Sequence, residues 1–340
     1  MVSLLLSIHL PVYDSGDAVM RGAIFHRYGG TDIVKGGLMG SFVRRPGIMA
    51  GVLLAGAALT VAAPAAAAQA MTATPGVINV PCSTSALATA ITTANGGGAA
   101  VLVLAGNCSY DIQTPATASD GLPLITGHVS LVGGKNTVIR RSPAALTAFR
   151  VLDVAAGATL RVANLSIRNG NTAGLGGGIQ NAGSLWVSKV MFSGNQAGNG
   201  GALSNSAGAT ATLDDATIAE NTTTGVGGGG ILNSGTLTLS ESSLSGNHAP
   251  INGGGLNTQP AGISHISQSQ FVNNVSGGLG GGISNLGTTT LYGTSVRFNK
   301  GSGGGGIATG NTNVTLKNST VTSNTPDNCS PLNTIQGCVN

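Results

Sequence analysis

A phrase of glycines, one aliphatic residue and a polar amide constrains this chain more than any other feature. It occurs as GGGIQNAG from residue 176 and returns as GGALSNSAG at 200, GGGGILNSG at 227, GGGLN at 253, GGGISNLG at 280 and GGGGIATG at 303. Registering the chain on Leu160, Leu185, Ala211, Leu237, Ser264, Thr289 and Val314 gives successive intervals of 25, 26, 26, 27, 25 and 25 residues. Two residues after each anchor stands Val162, Val187, Leu213, Leu239, Ile266, Leu291 or Leu316. Seven after it stands Ile167, Phe192, Ile218, Leu244, Phe271, Val296 or Val321. Ten after it, from the second repeat on, stands Asn195, Asn221, Asn247, Asn274, Asn299 or Asn324.

Alternating segments such as LWVSKVMF and LTLSESSL read as strands with one inward face. A period near 25 residues that contains strands and no helix predicts a parallel β-solenoid, each turn stacked on the last at roughly 4.8 Å. The expected architecture is an all-β, right-handed, single-stranded parallel β-helix of about ten turns, a rod on the order of 45 Å long. With 56 Gly but only 6 Phe, 4 Tyr and 1 Trp in 340 residues, its core is thin and repetitive. Collagen needs Gly at every third position, and disorder is at odds with 41% hydrophobic residues at fixed places.

The repeats explain the glycines as sharp corners that a Cβ would obstruct. The tenth-position asparagines are expected to form a ladder, bonding their equivalents above and below while adopting the left-handed conformation at a corner. A second column of Asn181, Asn205, Asn233, Asn257 and Asn285 is expected to do the same. Ahead of the repeats, Thr84-Ser85 followed by Leu87, Ala90, Ile91 and Ala94 reads as an N-capped amphipathic helix that plugs the open end.

These phrases resemble those of secreted bacterial right-handed parallel β-helix repeat proteins, and GGGI…N with FSGN or FVNN is similar to the repeats of polymorphic outer-membrane proteins, within the pectate-lyase-like superfold. The likeness covers about residues 79 to 324, including CSTSALATAITTAN and VLVLAGNCSYDI in the leading part. It implies the fold and says little about function. Polymorphic outer-membrane proteins carry a C-terminal membrane barrel, whereas the residues after Asn324 contain no ten-residue alternating spans. The expectation is therefore a passenger-like chain, released or associated with the cell envelope, with no membrane span in its mature form.

Export is also read at the N-terminus. From Met39, Arg44 and Arg45 precede an apolar run, Met49 to Ala63, and small residues at Ala66 to Ala70, the order of a secretory signal peptide. Residues 1–38 then read as an upstream extension, 39–70 as the signal, 71–159 as cap and first coils, 160–324 as the repeated coils and 325–340 as a tail. Four cysteines follow the signal, two near each end. Three pairings are formally open, of which Cys82 with Cys108 and Cys329 with Cys338 would staple the two termini.

Chemistry has a thin vocabulary here, because only eight acids follow the signal. The fourth residue after each anchor forms an outward polar column in which Asp215 and Glu241 are neighbours, a candidate catalytic pair near the carboxylate separation of a retaining glycosidase. Any solenoid supplies that geometry, so the plainer expectation is a solvated face with Lys189 paired to Asp215. The histidines at 128, 248 and 265 fall at unrelated register positions, so no metal site is expected, and no cofactor motif occurs.

Six of the ten basic residues after the signal lie within 34 residues. Lys135, Arg140, Arg150 and Arg161 are the candidate binding residues of a basic stripe facing cell-wall or extracellular polysaccharide, against the plainer expectation of scattered solvated charges, because the adjacent Arg140 and Arg141 face opposite ways. Nucleic acid is not expected for an exported chain whose basic residues are not interleaved with aromatics. Two functions follow: a non-enzymatic secreted or surface-associated rod that contacts glycan, or a polysaccharide lyase or glycoside hydrolase.

Overall fold

The computed structural model describes residues 76–340; the expected extension (1–38) and signal peptide (39–70) lie outside the described residues. The chain is a mostly β parallel solenoid with one short helix near the start of the described region. Its strands stack into parallel sheets of ten, nine, eight and four strands, each strand pairing with its equivalent about 26 residues on.

Period-two alternation builds the ten- and nine-stranded sheets, whereas most strands of the eight-stranded sheet are buried at all three positions. In the ten-stranded sheet Leu185 pairs with Leu160 on one side and Ala211 on the other, and the register continues through Leu237, Ser264, Thr289 and Val314. Those residues and the ones two positions later point inward. The nine-stranded sheet contributes Ile167, Phe192, Ile218 and Leu244, and the eight-stranded sheet Ile179, Leu203, Ile231 and Leu256, all fully buried. Two anchors are polar, and both find partners inside: Asn233 Nδ2 donates to Ser264 Oγ at 3.0 Å, and Thr289 Oγ1 donates to Asn285 Oδ1 at 2.9 Å.

Two corners recur in every repeat, and they fall on different residues from those expected. The fourth residue after the anchor is left-handed throughout: Asn164, Lys189, Asp215, Glu241, Gln268 and Asn318 have φ between 48° and 56°. So is the ninth, as Asn169, Gly194, Glu220, Gly246, Asn273, Phe298 and Ser323. The tenth-position asparagines come just after this corner and have ordinary φ. Being buried, they make a continuous run of hydrogen bonds instead. Asn221 donates from both its backbone N and its Nδ2 to Asn247 Oδ1, each at 3.0 Å, and Asn247 repeats the pattern on Asn274 Oδ1 at 3.0 and 2.9 Å.

The second column is shorter than expected. Asn181, Asn205 and Asn233 are linked Nδ2 to Oδ1 at 2.8 and 2.9 Å, but the next place is taken by Thr258. Asn257 directly follows Leu256, whereas Asn233 is the second residue after Ile231, so in register it stands opposite Leu232, where it is buried with both side-chain polar atoms unpartnered.

Glycine is needed at the third corner. Gly253 has φ 60°, and a Cβ on its neighbour Gly254 would lie 2.5 Å from both Gly281 O and Val275 O, the backbone of the turn above. At the N-terminal end the helix Thr84–Gly96 buries Leu87, Ala90, Ile91 and Ala94 against the first turns. Its cap is Ser83, one residue before the expected position, accepting from Ala86 N at 3.4 Å. Disulfides join Cys82 to Cys108 and Cys329 to Cys338. Cys329 continues the inward aliphatic column of the eight-stranded sheet after Ile307, and Ile335 of the tail is also buried.

Candidate functional site

The structure disperses the basic residues that the sequence clusters. Arg140 lies on the nine-stranded sheet and holds Asp111 in a two-pronged ion pair, Nε to Oδ1 at 2.5 Å and Nη2 to Oδ2 at 2.9 Å. This keeps the Asp111 carboxyl below its usual range and raises the Arg140 guanidinium. Arg150 is mostly buried beside the eight-stranded sheet, 2.8 Å from Asp153 and 3.4 Å from Asp120. Burial pushes the Asp153 carboxyl up, and the Arg150 charge opposes that shift. Arg141 turns back to the carbonyls of Thr147 and Ala145. Lys135 is exposed on a turn. Arg140 and Arg150 are thus engaged within the fold, and no single basic stripe forms.

Arg161 belongs to a different setting. It stands in the middle outward column of the ten-stranded sheet, next to Trp186, and its guanidinium lies 5.1 Å from the centroid of that ring. Trp186 is the one tryptophan of the chain and is 47% exposed. Its position follows from strand parity, because the anchor Leu185 and Val187 face inward and the residue between them must face out. The next turns place Thr212 and Thr238 in the same column, with Thr210 and Thr236 beside them. Asp214 and Ser240 complete the far edge, joined by a 2.7 Å bond from Ser240 Oγ to Asp214 Oδ1. Arg161, Trp186, Ser188, Thr212, Asp214 and Ser240 border a shallow cavity of about 490 Å³.

Round the corner lies a second cavity of about 490 Å³, bordered by Asn136, Asn164, Ser166, Arg168, Lys189, Met191, Asp215 and Thr217. The left-handed residues Asn164, Lys189 and Asp215 form the ridge between the two. Asp215 and Glu241 occupy successive turns of this ridge, both exposed. Asp215 borders the second cavity and Glu241 does not. Neither is enclosed by the walls that would fix a substrate between two carboxylates. The expected Lys189 to Asp215 pair does not form: among the described residues the ion pairs are those of Arg140 and Arg150.

Among the described residues no group of three or more His, Cys, Asp or Glu is placed to hold a metal ion. No described helix is long and apolar enough to cross a membrane. Trp186 is the residue that reading the charges missed. Its signal was present: the single Trp occupies an outward position in a repeat whose equivalents are Thr, Arg and His. No known protein family matches the chain, and no curated protein is similar to it in sequence.

Proposed function

We propose that this chain is a secreted or cell-surface-associated rod that contacts extracellular or cell-wall polysaccharide without cleaving it, through the outer face of its ten-stranded sheet. Kinship with the secreted right-handed β-helix repeat proteins is part of the same reading. One observation carries it: the exposed Trp186 ring with Arg161 against it, beside a floor of threonine and serine hydroxyls. A sugar ring has an apolar face of C–H groups and a rim of hydroxyls. An aromatic plate matches the first, and hydroxyls with one carboxylate match the second. The solenoid repeats those hydroxyls at the strand spacing of roughly 4.8 Å, so a polymer with its own repeat meets many equivalent donors and acceptors.

Glycan-array binding by the mature chain, followed by titration of the best polymer with Trp186→Ala, tests the reading. The expected result is at least a tenfold loss, about 1.4 kcal/mol, at an unchanged melting temperature. Polymer binding that ignores the substitution would place the contact elsewhere. Release of reducing or unsaturated sugar by the parent chain would favour the enzyme of pectate-lyase-like fold instead.

A further inference from the structure

We propose that the cavity on the far side of the ridge is a carboxylate-binding subsite, so that the polymer held at Trp186 is an acidic glycan. This rests on the reading of the Trp186 face as a glycan surface. Two neighbouring arginines differ in what they hold. Arg140 and Arg168 are cross-strand partners in one outward column of the nine-stranded sheet. Arg140 applies its Nε and Nη2 edge to both oxygens of Asp111. The same edge of Arg168 has no carboxylate: Nη2 lies 3.2 Å from the thioether of Met191, a weak acceptor, and Nε is buried with no partner.

An uncompensated guanidinium edge beside a cavity is a place for an oxyanion, and its planar fork favours a carboxylate. Met191 is unbranched and partly exposed, so it can rotate off the edge it covers. Lys189, one turn on and without an ion-pair partner among the described residues, borders the same cavity, as do the hydroxyls of Ser166 and Thr217. The acids nearby sharpen the assignment. Both oxygens of Asp111 are engaged by Arg140, and Asp215 lies on the ridge one turn beyond Lys189, which leaves the Arg168 end as the positive one. The cavity is a groove open to solvent, and its volume of about 490 Å³ is room for one or two sugar rings of a polymer passing over it.

The repeat itself supplies substitutions that the fold tolerates. Ser193 pairs with Arg168 in the same column, Gln268 holds the corner that Lys189 holds, and Asn164 holds that of Asp215. The test is affinity of the mature chain for carboxymethyl dextran, dextran sulfate and unmodified dextran, which differ in the charged group and share a backbone. Carboxymethyl dextran should bind most tightly, and R168S or K189Q should weaken it about tenfold, while D215N should strengthen it two- to fivefold by removing a repelling charge. Equal affinity of the parent for carboxymethyl and unmodified dextran overturns the proposal, as does R168S that binds and melts like the parent. Tighter binding of dextran sulfate overturns the carboxylate assignment. Trp186→Ala should weaken all dextrans together, so a loss confined to the carboxymethyl polymer separates this subsite from the glycan face as a whole.

Discussion

From Gly76 to Arg168 the solenoid is held mainly by unique partners, and from Asn169 to Asn324 mainly by repeated ones, before the disulfide-closed tail. The first part contains the helix, the Cys82–Cys108 disulfide, the buried Tyr110 donating to Val80 O at 3.0 Å, and all the ion pairs of the described residues. The second contains the asparagine runs, the three-glycine corners and the four-stranded sheet that begins at Gln196–Ala197. Where successive turns differ, each buried polar group needs a partner of its own, and a charge must find a counter-charge. Where turns are alike, one side chain that accepts from below and donates above solves the problem for every turn. Trp186 lies just after the boundary, where irregular side chains still project from a regular backbone.

The sharpest way to break the comparison is to remove a unique partner. Arg150→Met leaves Asp120 and Asp153 without their cation, and stability at neutral pH should fall by about 3 to 5 kcal/mol, read by denaturant unfolding. The loss should shrink in mild acid. Burial raises the Asp153 pKa, so the folded state holds that proton more tightly than the unfolded state, and the group favours folding increasingly as pH falls through its raised pKa towards the usual carboxylate range. A variant as stable as the parent would mean that the first turns do not depend on this cluster.

Breaking a repeated partner should cost somewhat less. Asn247 is fully buried and takes part in four side-chain bonds, accepting twice from Asn221 and donating to Ile218 O and Asn274 Oδ1. Asn247→Leu strands those groups, and a loss of about 2 to 3 kcal/mol is expected, since neighbouring turns still anchor the backbone. Melting at the parent temperature would show that the run contributes nothing to stability.

The exposed ion pair gives a smaller, pH-marked effect. Arg140 lowers the Asp111 pKa, so this pair stabilises above the ordinary carboxylate range, about 3.9, and its contribution disappears as pH falls through the lowered value. With side chains about a third exposed, the pair should contribute below about 1 kcal/mol. Asp111→Asn should therefore lower the melting temperature slightly at pH 7 and flatten its fall in acid. A parent whose acid fall is unaltered by the substitution would count against that pair.

How much of this the sequence announces follows the same division. In the regular part a residue repeats its chemistry every turn, so columns such as Ile179, Leu203 and Ile231 reveal both strand and inward face before any coordinates are known. Corners are harder to read, because backbone φ leaves no single residue type: the fourth position holds Asn, Lys, Asp, Glu and Gln alike. One amide standing a single residue after its aliphatic neighbour, rather than two, was enough to put Asn257 outside its expected column. In the irregular part, spacing along the chain says nothing of partners. Arg140 and Arg150 look like a basic stripe until Asp111, Asp120 and Asp153 are brought to them from 29, 30 and 3 residues away. Trp186 was legible from strand parity alone, yet a search led by charge passes over it.

The smallest expected effect belongs to the pair that chemistry alone would single out. Asp215 and Glu241 share one corner of successive turns, left-handed and exposed, and the same corner is held elsewhere by Asn164, Gln268 and Asn318. The residue there needs a side chain that tolerates that backbone and meets water, and Asn or Gln does so as well as an acid. The double variant Asp215→Asn with Glu241→Gln should consequently melt within about 0.5 kcal/mol of the parent. Its effect on a glycan should be confined to ligand charge, since loss of Asp215 removes repulsion from the carboxylate subsite. An enzyme would behave oppositely, because removing a general acid or nucleophile lowers a rate by orders of magnitude while leaving affinity nearly alone. The discriminating measurement is sugar release by parent and double variant on the polymer each binds best. Turnover present in the first and absent in the second would make the corner an active site and the rod an enzyme.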